Sequence, residues 1–498
     1  MSIKSFAAKL LAKKAARNIH KWSSRPQETQ QKVFLSLIEK AKYTQFGKDH
    51  NFDTIKTYED FVANVPVRDY EALRPYVDKI VKGDSNILWP GKPLYFAKTS
   101  GTTSGAKYIP ITKDSMPTHI DGARNAMLCY VAETGIADFV DRKMIFLQGS
   151  PKLTDKNGVN LGRLSGIVAH YVPRYLQKNR LPSWETNCIE DWEQKVEAII
   201  DETLNQDMGI ISGIPPWVQM YFERIIARTG KPIKEVFPNF NLFIFGGVNF
   251  DPYKSILNEL IGEEVPRIEL YPASEGFFAF QDTQTEAGML LQLNSGIFYE
   301  FIKADTFFED APKRISINEV TIGVNYVILV STTAGLWCYN IGDTVQFVST
   351  SPYRVIVSGR IKHFISAFGE HVIGKEVDQA LEKAVSKTGD IIQEFTVAPQ
   401  VNPKNGLPYH EWFIEFKKAP KDLEGLKNEI DTQLQSQNVY YQDLIEGKIL
   451  QPLVITSIKS NGFNDYMKAI GKLGGQNKLP RLSNDRKIAD ALQDFVVK

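Results

Sequence analysis

Residues 99–107 read Thr-Ser-Gly-Thr-Thr-Ser-Gly-Ala-Lys and gather hydroxyls, glycines and one lysine in a short stretch. Glycines let backbone N–H groups approach an anion, hydroxyls donate hydrogen bonds to phosphate oxygens, and a lysine neutralises their charge. The stretch is not a Walker A loop, because Gly101 to Gly105 is one residue short, Ala106 precedes Lys107, and a strand-like run follows. It predicts a phosphate loop of another kind, with an ordinary polar turn as the alternative.

Two segments farther along the chain carry side chains that suit a nucleotide. "YPASEG" offers Tyr271 as a flat surface for a base, Ser274 as a hydrogen-bonding group and Glu275 as an oxygen ligand for Mg²⁺. "YNIGD" ends in Asp343, whose two carboxylate oxygens can accept hydrogen bonds from both hydroxyls of a ribose. Each segment taken singly has a structural alternative, which is a core tyrosine, a solvated glutamate or a turn aspartate.

Three further positions are candidates for contact with the same ligand. The turn "FGGVNF" places Gly246 and Gly247 after a strand, where a nucleotide could lie against them. Arg360 follows the strand-like run "YRVIV" and could reach ribose or phosphate, or pair with a surface carboxylate instead. Lys478 lies in the glycine-rich, exposed-looking loop "GGQNKLPRLSND", where it is either a catalytic cation or a solvated lysine.

The elements that must position these residues alternate between strands and helices. Short apolar runs that end in glycine or hydroxyl residues predict buried strands, namely "KMIFLQGS", "NLFIFGGVNF", "RIELYPASEG" and "NYVILVST". Helical patterns such as "DWEQKVEAIIDETLNQ" and "PPWVQMYFERIIARTG" lie between several of them. We therefore expect an α/β core with ligands beyond the carboxyl ends of the strands.

The pattern changes after residue 359 to strand, helix, two strands, helix and strand. This βαββαβ order predicts a small α+β unit of the ferredoxin-like kind. We place a boundary at Ser358-Gly359-Arg360, which gives a large domain over 1–358, a small domain over 359–498 and a hinge near 358–361.

Composition limits the classes of protein. The chain has 498 residues, with 59 basic and 58 acidic side chains and a net charge of +1, so no overall field favours nucleic acid or an anionic membrane. Three separated cysteines favour a reducing compartment, and we expect a cytoplasmic protein.

The segment before residue 23 interleaves lysines with apolar residues and predicts an amphipathic basic helix. Such a helix could touch a membrane surface, but the preferred interpretation is a helix packed on its own domain with a solvated basic face. We expect no stable membrane association and no nucleic-acid partner.

The motifs "TSGTTSGAK", "YPASEG", "YNIGD" and "SGRIKHFISAFGEHV", in this order, resemble the adenylate-forming superfamily of acyl-CoA synthetases, luciferases and peptide-synthetase adenylation domains. Within it, the Ser-Gly-Thr-Thr loop and the "YPASE" form are most similar to the auxin-responsive acyl-acid amido synthetases, the Gretchen Hagen three family. The resemblance implies a large adenylate-forming domain with mixed sheets and helices, and a smaller mobile C-terminal domain. It also implies ATP and Mg²⁺, and an acyl-adenylate that passes its acyl group to an amine, an amino acid in this family.

The resemblance also implies roles for particular residues. Contacts to phosphates and nucleotide fall to Ser100, Gly101, Thr102, Thr103, Gly246, Gly247, Tyr271, Ala273, Ser274, Asp343 and Arg360, the metal to Glu275, and catalysis to Lys107 and Lys478. Lys478 matches the family's Lys-x-Pro-Arg segment and would stabilise charge during adenylation.

Two alternatives remain open: an acyl-CoA ligase of the same superfamily, and a non-catalytic nucleotide-binding protein that keeps the fold. The chain lacks HExxH, GxSxG and GxGxxG motifs. His363 and His371 are interpreted as structural. Possible partners for a substrate carboxylate, each also explicable as a surface charge, are Arg124, Arg163, Arg174 and Arg180.

Overall fold

The computed structural model describes residues 2–99, 107–172, 177–247, 250–361, 364–365, 367, 372–446, 448–474, 478–483 and 485–497. The chain divides into two compact units. The first unit is Met1–Val248 with Ile261–Val357, and the second unit is Asn249–Leu260 with Ser358–Lys498. The second unit therefore takes a helix from the middle of the chain.

The strands of the first unit include the four buried strands that the sequence predicts. In chain order they are β1 (Tyr95–Thr99), β2 (Lys107–Ile111), β3 (Lys143–Phe146), β4 (Thr154–Lys156), β5 (Val159–Gly162), β6 (Arg180–Leu181), β7 (Met208–Ser212), β8 (Leu242–Gly246), β9 (Arg267–Ala273), β10 (Gly276–Phe280), β11 (Met289–Leu291), β12 (Ile297–Lys303), β13 (Ile315–Ser316), β14 (Asn325–Thr332), β15 (Tyr339–Thr350) and β16 (Tyr353–Arg360).

Most of these strands form one large sheet. Within the described residues its order is β13-β12-β14-β15-β16-β11-β10-β9-β8-β7-β3-β6. Strands β6, β3, β7, β8 and β9 are parallel, and antiparallel pairs continue from β9 through β10 and β11 to β16. Strand β14 is buried from Tyr326 to Thr332, which explains its uninterrupted apolar run, because a strand covered on both faces has no solvent-facing positions.

A smaller sheet of the first unit has the order β2-β1-β5-β4. The helices of this unit are α1 (Ile3–Ser23), α2 (Pro26–Ala41), α3 (Gln45–Asp49), α4 (Tyr58–Asn64), α5 (Tyr70–Val81), α6 (Met116–Thr134), α7 (Leu164–Ala169), α8 (Trp184–Asn187), α9 (Trp192–Thr203), α10 (Pro215–Thr229) and α11 (Ile233–Val236). The two helices predicted from "DWEQKVEAIIDETLNQ" and "PPWVQMYFERIIARTG" are α9 and α10.

The second unit is an α+β structure, as predicted. Its helices are α12 (Asp251–Ile261), α13 (Gly374–Thr388), α14 (Leu423–Gln437), α15 (Val439–Glu446), α16 (Gly462–Ala469) and α17 (Lys487–Ala491), and its strands are β17 (Phe364–Ile365), β18 (Val372–Ile373), β19 (Ile392–Gln400), β20 (Tyr409–Phe416) and β21 (Val454–Ile458). The core lies between a sheet and helices α13 and α14, around Phe395, Trp412, Leu381 and Ile430.

The sheet of the second unit differs in detail from a ferredoxin-like one. Among the described residues it has three strands, in the order β19-β20-β21, with β20 and β21 parallel. The segment expected to supply its first strand forms a separate pair, in which Phe364 and Ile365 lie opposite Ile373 and Val372. The predicted order of elements is therefore present, but the leading strand pairs locally.

Candidate active site

The predicted phosphate loop is joined at both ends to a strand pair. Thr99 closes β1 and Lys107 opens β2, and the two are register partners in an antiparallel pair. The Lys107 ammonium lies 5.6 Å from the centre of the Tyr70 ring, whose hydroxyl accepts a hydrogen bond from the Tyr108 N–H at 2.9 Å. Helix α5, which carries Tyr70, thus contacts the first two residues of β2. The predicted contacts Ser100, Gly101, Thr102 and Thr103 lie outside the described residues.

Tyr271 and Asp343, from two separate motifs, are in direct contact. The Tyr271 hydroxyl donates a hydrogen bond to Asp343 Oδ2 at 2.8 Å. The Tyr271 ring is only 6% exposed and lies edge-on to Phe278, 5.1 Å between ring centres. The hydroxyl therefore orients the carboxylate predicted to hold a ribose, a role that sequence reasoning did not assign to it. Stacking of the ring on a base stays a prediction.

The glycine turn before Asp343 is a bulge inside strand β15. Leu329 pairs with Asn340 and Val327 pairs with Thr344, so extra residues of β15 lie between these two pairs. Gly342 has a φ of 88°, a left-handed conformation that favours glycine, and its N–H donates to Asn340 Oδ1 at 2.8 Å. Because a bulge changes the direction in which the following side chain points, it accounts for the orientation of Asp343.

The contact also constrains the shape of the large sheet. Strands β16, β11 and β10 lie between β15 and β9 in the strand order. Neighbouring strands are about 4.8 Å apart, so a flat sheet would separate β15 and β9 by about 19 Å, beyond the reach of a tyrosine and an aspartate. The sheet must curl at this point, and the curl brings two motifs together.

Glu275 lies in the tight turn between β9 and β10. Ala273 and Gly276 pair across this hairpin, which leaves Ser274 and Glu275 as its two-residue loop, both half-buried. No group of three histidine, cysteine or carboxylate side chains that could hold a metal occurs among the described residues. One carboxylate fits Mg²⁺, which is commonly held by one or two carboxylates together with the phosphates of its substrate.

Gly246 is the last residue of β8, and Gly247 follows it directly, so both glycines lie at the end of the predicted strand. A Cβ atom on Gly246 would lie 2.4 Å from the Leu270 carbonyl oxygen on the neighbouring strand β9. The close approach of these strands therefore explains this glycine without any ligand. Gly247 is exposed and has a φ of 83°, which a turn after a strand requires.

Arg360 and Lys478 are exposed residues of the second unit. Arg360 is the last residue of β16, which runs three residues beyond the predicted strand "YRVIV". The segment that carries Lys478 runs beside strand β19 from Arg481 to Ser483: the Val397 N–H donates to the Arg481 carbonyl and the Ser483 N–H donates to the Val397 carbonyl, both at 2.9 Å. His363 and His371 lie outside the described residues.

Arg481 anchors this segment, contrary to the expectation of an exposed loop. Its side chain is 17% exposed and pairs with Glu394. One guanidinium nitrogen donates to the Tyr253 hydroxyl of α12 at 2.8 Å, and the guanidinium carbon lies 4.6 Å from the centre of the Phe395 ring. The loop looks polar in sequence, but its backbone adds to β19 and its arginine enters the interior. Lys478 therefore lies three residues before a largely buried ion pair.

The four arginines considered for a substrate carboxylate have different surroundings. Arg124 is exposed and pairs with Asp121 at 2.9 Å, which fits the surface-charge interpretation. Arg180 is half-buried and donates to the Ala169 carbonyl at 3.1 Å. The side chain of Arg163 lies against Gly149, and Arg174 is outside the described residues.

Sequence reasoning missed one buried cation, Lys195 of α9. It is 2% exposed, and its ammonium donates to the carbonyls of Gln148 and Asn187 at 2.9 and 2.8 Å. Burial lowers its pKa to about 8. The sequence did indicate this burial, because helical spacing places Lys195 on the same face of the helix as Trp192 and Ile199, which are buried.

Protein-family models and known proteins match this chain over most of its length. The GH3 family N-terminal, central and C-terminal domains match residues 15–188, 290–360 and 375–487. The probable indole-3-acetic acid-amido synthetase GH3.1 of Arabidopsis thaliana is 20% identical over 97% of this chain and 94% of its own.

Two solved structures share the fold. The GH3.15 acyl acid amido synthetase has a TM-score of 0.78 at 15% identity, covering 100% of this chain and 97% of that one. A 2-hydroxyisobutyryl-CoA ligase has a TM-score of 0.62 at 14% identity, covering 93% and 90%. The models for three parts of one family match in order along the chain and together span more than half of it, so the chain belongs to the GH3 family.

Proposed function

We propose that this protein is an ATP- and Mg²⁺-dependent acyl-acid amido synthetase. It activates a carboxylic acid as an acyl-adenylate and transfers the acyl group to an amine, an amino acid. The observation that carries the proposal is the hydrogen bond between Tyr271 and Asp343, because it unites two nucleotide motifs that are far apart in sequence. Membership of the GH3 family supports the choice of an amine as the acceptor.

In the first half-reaction, a carboxylate oxygen of the acid attacks the α-phosphorus of ATP. The new P–O bond forms as the bond to the β-phosphate oxygen breaks, and pyrophosphate leaves. The loop residues Ser100, Gly101, Thr102, Thr103 and Lys107 bind the phosphates, and Lys478 stabilises the charge that develops at the α-phosphate. A positioned cation of this kind supplies about 3 kcal/mol at a transition state.

The residues that we assign to the nucleotide are Asp343, Gly246, Gly247, Ala273, Ser274 and Arg360. Asp343 accepts hydrogen bonds from the ribose hydroxyls while Tyr271 fixes the orientation of its carboxylate. Gly246, Gly247, Ala273 and Ser274 line the nucleotide. Glu275 would hold Mg²⁺, which neutralises phosphate charge when it is bound.

In the second half-reaction, the ammonium group of the acceptor loses one proton, and the resulting amine nitrogen attacks the acyl carbon. The C–O bond to AMP breaks, and the nitrogen loses a second proton to solvent as the amide forms. We assign residues 358–361 as the hinge on which the small domain turns between the two steps. Gly359 and the strand end at Arg360 suit a hinge, because a glycine accepts large changes of backbone dihedrals. We also assign the protein to the cytoplasm, where ATP and free amino acids are available.

Pyrophosphate release tests the proposal. The protein is incubated with ATP, Mg²⁺ and single acids from a panel of carboxylic acids, and then with amino acids or CoA. We expect one class of acid to stimulate pyrophosphate release and amino acids to accelerate AMP release. If CoA accelerates AMP release and amino acids do not, the protein is an acyl-CoA ligase. If no acid stimulates pyrophosphate release, the proposal that the protein is an enzyme is contradicted.

Two variants separate the assigned roles. Asp343→Ala should weaken ATP binding, because the ribose loses its acceptor. Lys478→Ala should slow adenylation and leave ATP binding largely unchanged, because its cation acts on the transition state. Wild-type rates and affinities in both variants would refute the residue assignments.

A further inference from the structure

Helix α1 (Ile3–Ser23) has an unusual charge pattern. Its sequence contains the six cations Lys4, Lys9, Lys13, Lys14, Arg17 and Lys21, and no aspartate or glutamate. The whole chain has a net charge of only +1, so this helix is a local concentration of positive charge on a nearly neutral protein. None of the helices in the described part of the chain is long and apolar enough to cross a membrane.

One face of α1 is fixed to the first unit. Ser5, Ala12 and Ile19 are buried, and the Ser5 hydroxyl donates to the Ala137 carbonyl at 3.1 Å. Ala12 and Ile19 belong to the same core cluster as Tyr130 of α6. The helix therefore has a defined orientation, and its opposite face is directed outwards.

The outward face carries large apolar side chains. Ile3 is 88% exposed, Phe6 53%, Leu10 55% and Leu11 57%. Residues three, four and seven positions apart share a face of a helix, so Ile3, Phe6 and Leu10 form one stripe. The same spacing continues this stripe into Lys14, Arg17 and Lys21, all exposed.

The cations on α1 form no close ion pair in the described part of the chain, although Lys21 adds to the effect of Lys32 in lowering the pKa of the Glu28 carboxyl. Among the residues that the structure describes, no carboxylate lies within ion-pair distance of any of the six. The next helix behaves differently, since Lys32 pairs with Glu28 and Lys40 pairs with Asp114 at 3.2 Å. Apolar side chains and unpaired cations on one fixed helical face are the chemistry of a helix that lies on an anionic lipid surface.

We infer that the outward face of α1 docks the protein reversibly on anionic membranes. Phe6, Leu10 and their neighbours enter the headgroup boundary, and the lysines contact lipid phosphates and carboxylates. Docking needs no folding, because the inner face already holds the helix in place. A single helix of this size gives weak, salt-sensitive binding, so the expectation of no stable membrane association is retained. This inference is independent of the proposed enzymatic activity.

Vesicle flotation tests the inference with the full chain. Vesicles of phosphatidylcholine alone are compared with vesicles that contain phosphatidylserine or phosphatidylglycerol, at about 0.05 M and about 0.5 M NaCl, conditions that change the Debye length from more than 10 Å to less than 5 Å. We expect the protein to bind both kinds of anionic vesicle at low salt. The bound fraction should be at least roughly fivefold lower on the same vesicles at high salt, and on neutral vesicles. Equal binding to neutral and anionic vesicles, or no binding, would overturn the inference.

Two variants test the two components of the surface. Phe6→Ser with Leu10→Ser removes apolar contact, and Lys13→Gln with Lys14→Gln removes charge. Each should reduce the bound fraction several-fold without changing the thermal midpoint, because all four side chains are exposed. Phe308→Ser with Ile322→Ser is the matched control, since these side chains are 62% and 54% exposed elsewhere on the protein.

The outcomes separate lipid from protein partners. If both α1 variants bind anionic vesicles as well as the control does, the face does not dock on lipid. If light scattering shows a dimer that Phe6→Ser with Leu10→Ser converts to a monomer, the face is an interface between copies and the membrane inference is wrong. Loss of binding in both variants, with binding kept in the control, supports it.

Discussion

Tyr271 donates a hydrogen bond to Asp343 at 2.8 Å although the two residues come from strands that are four positions apart in the large sheet. The bond exists because the sheet curls and because a bulge turns Asp343 towards β9. The motif "YPASEG" thus orients a side chain of the motif "YNIGD". The effect of removing the Tyr271 hydroxyl can therefore be measured on ATP binding.

Tyr271→Phe should raise the KM for ATP with little change in kcat. Losing a hydrogen bond to a carboxylate costs about 1.5 to 3 kcal/mol, and the part that orients Asp343 should weaken ATP binding roughly tenfold. Steady-state kinetics with varied ATP provide the measurement. Tyr76→Phe is the matched control, because it removes a 2.9 Å bond to Asp49 away from the motifs. Equal effects of both variants would mean that the hydroxyl acts on general stability alone.

Arg481→Met should slow adenylation by releasing the segment that carries Lys478. Arg486→Met is the matched control: Arg486 is also largely buried, donates to Glu411 at 2.8 Å and holds the same C-terminal segment to the same sheet. Breaking a buried pair costs about 3 to 5 kcal/mol, so both variants should lower the thermal midpoint, but only Arg481→Met should slow pyrophosphate release.

Two further variants keep this prediction testable. Tyr253→Phe removes only one partner of Arg481 and should give a milder form of the same defect. In the Lys478→Ala background, Arg481→Met should slow adenylation no further, since both changes remove one function. Additive losses, or an equal defect in Arg486→Met, would show that Arg481 acts through stability alone.

Gly246→Ala should destabilise the first unit whether or not a nucleotide binds there. The new Cβ would lie 2.4 Å from the Leu270 carbonyl oxygen, and the strands must move apart to admit it. Overpacking of this kind costs about 1 to 3 kcal/mol, which thermal unfolding without ATP would reveal.

Gly374→Ala is the control for Gly246→Ala. A Cβ on Gly374 would lie 3.8 Å from the Cα of Gly359, an ordinary contact, in the first turn of a helix where alanine is favoured. It should leave the midpoint unchanged. If Gly246→Ala were as stable as wild type and bound ATP weakly, the glycine would serve the ligand and not the strand contact.

Lys195 should make stability rise with pH in the alkaline range. Burial lowers its pKa from 10.5 to about 8, so between these values the unfolded chain binds the proton that the folded chain has lost. The contribution of Lys195 to stability therefore increases as the pH rises from about 8 to about 10.5. The midpoint of wild type minus that of Lys195→Met should grow over this window, and a constant difference would contradict the pKa shift.

Local pattern was sufficient to predict the strands that lead into the candidate site. Strands β8, β9 and β14 are apolar runs that end in glycine or polar residues, and both features act within a few residues of chain. The basic helix α1 was readable for the same reason. Its four exposed apolar side chains were not, because exposure depends on which face the rest of the fold covers.

The remaining features depend on contacts between distant parts of the chain. The bulge before Asp343 is a property of its register with β14, and "YNIGD" alone fits a turn equally well. Arg481 looked exposed in a glycine-rich loop because its partner Glu394 is 87 residues earlier. Strand β17 was a reasonable first strand for the small sheet, but it pairs with β18 instead.

The second unit is formed from two separate parts of the chain, so helix α12 is synthesised well before the rest of the unit. Tyr253 is made 141 residues before Glu394 and 228 residues before Arg481, yet it bonds to both. This part of the core cannot be completed until nearly the whole chain has left the ribosome. A fragment that begins at Ser358 would also lack the helix and leave a buried guanidinium without one of its partners, so the second unit should be produced with residues 249–260 supplied in the same chain or added as a peptide.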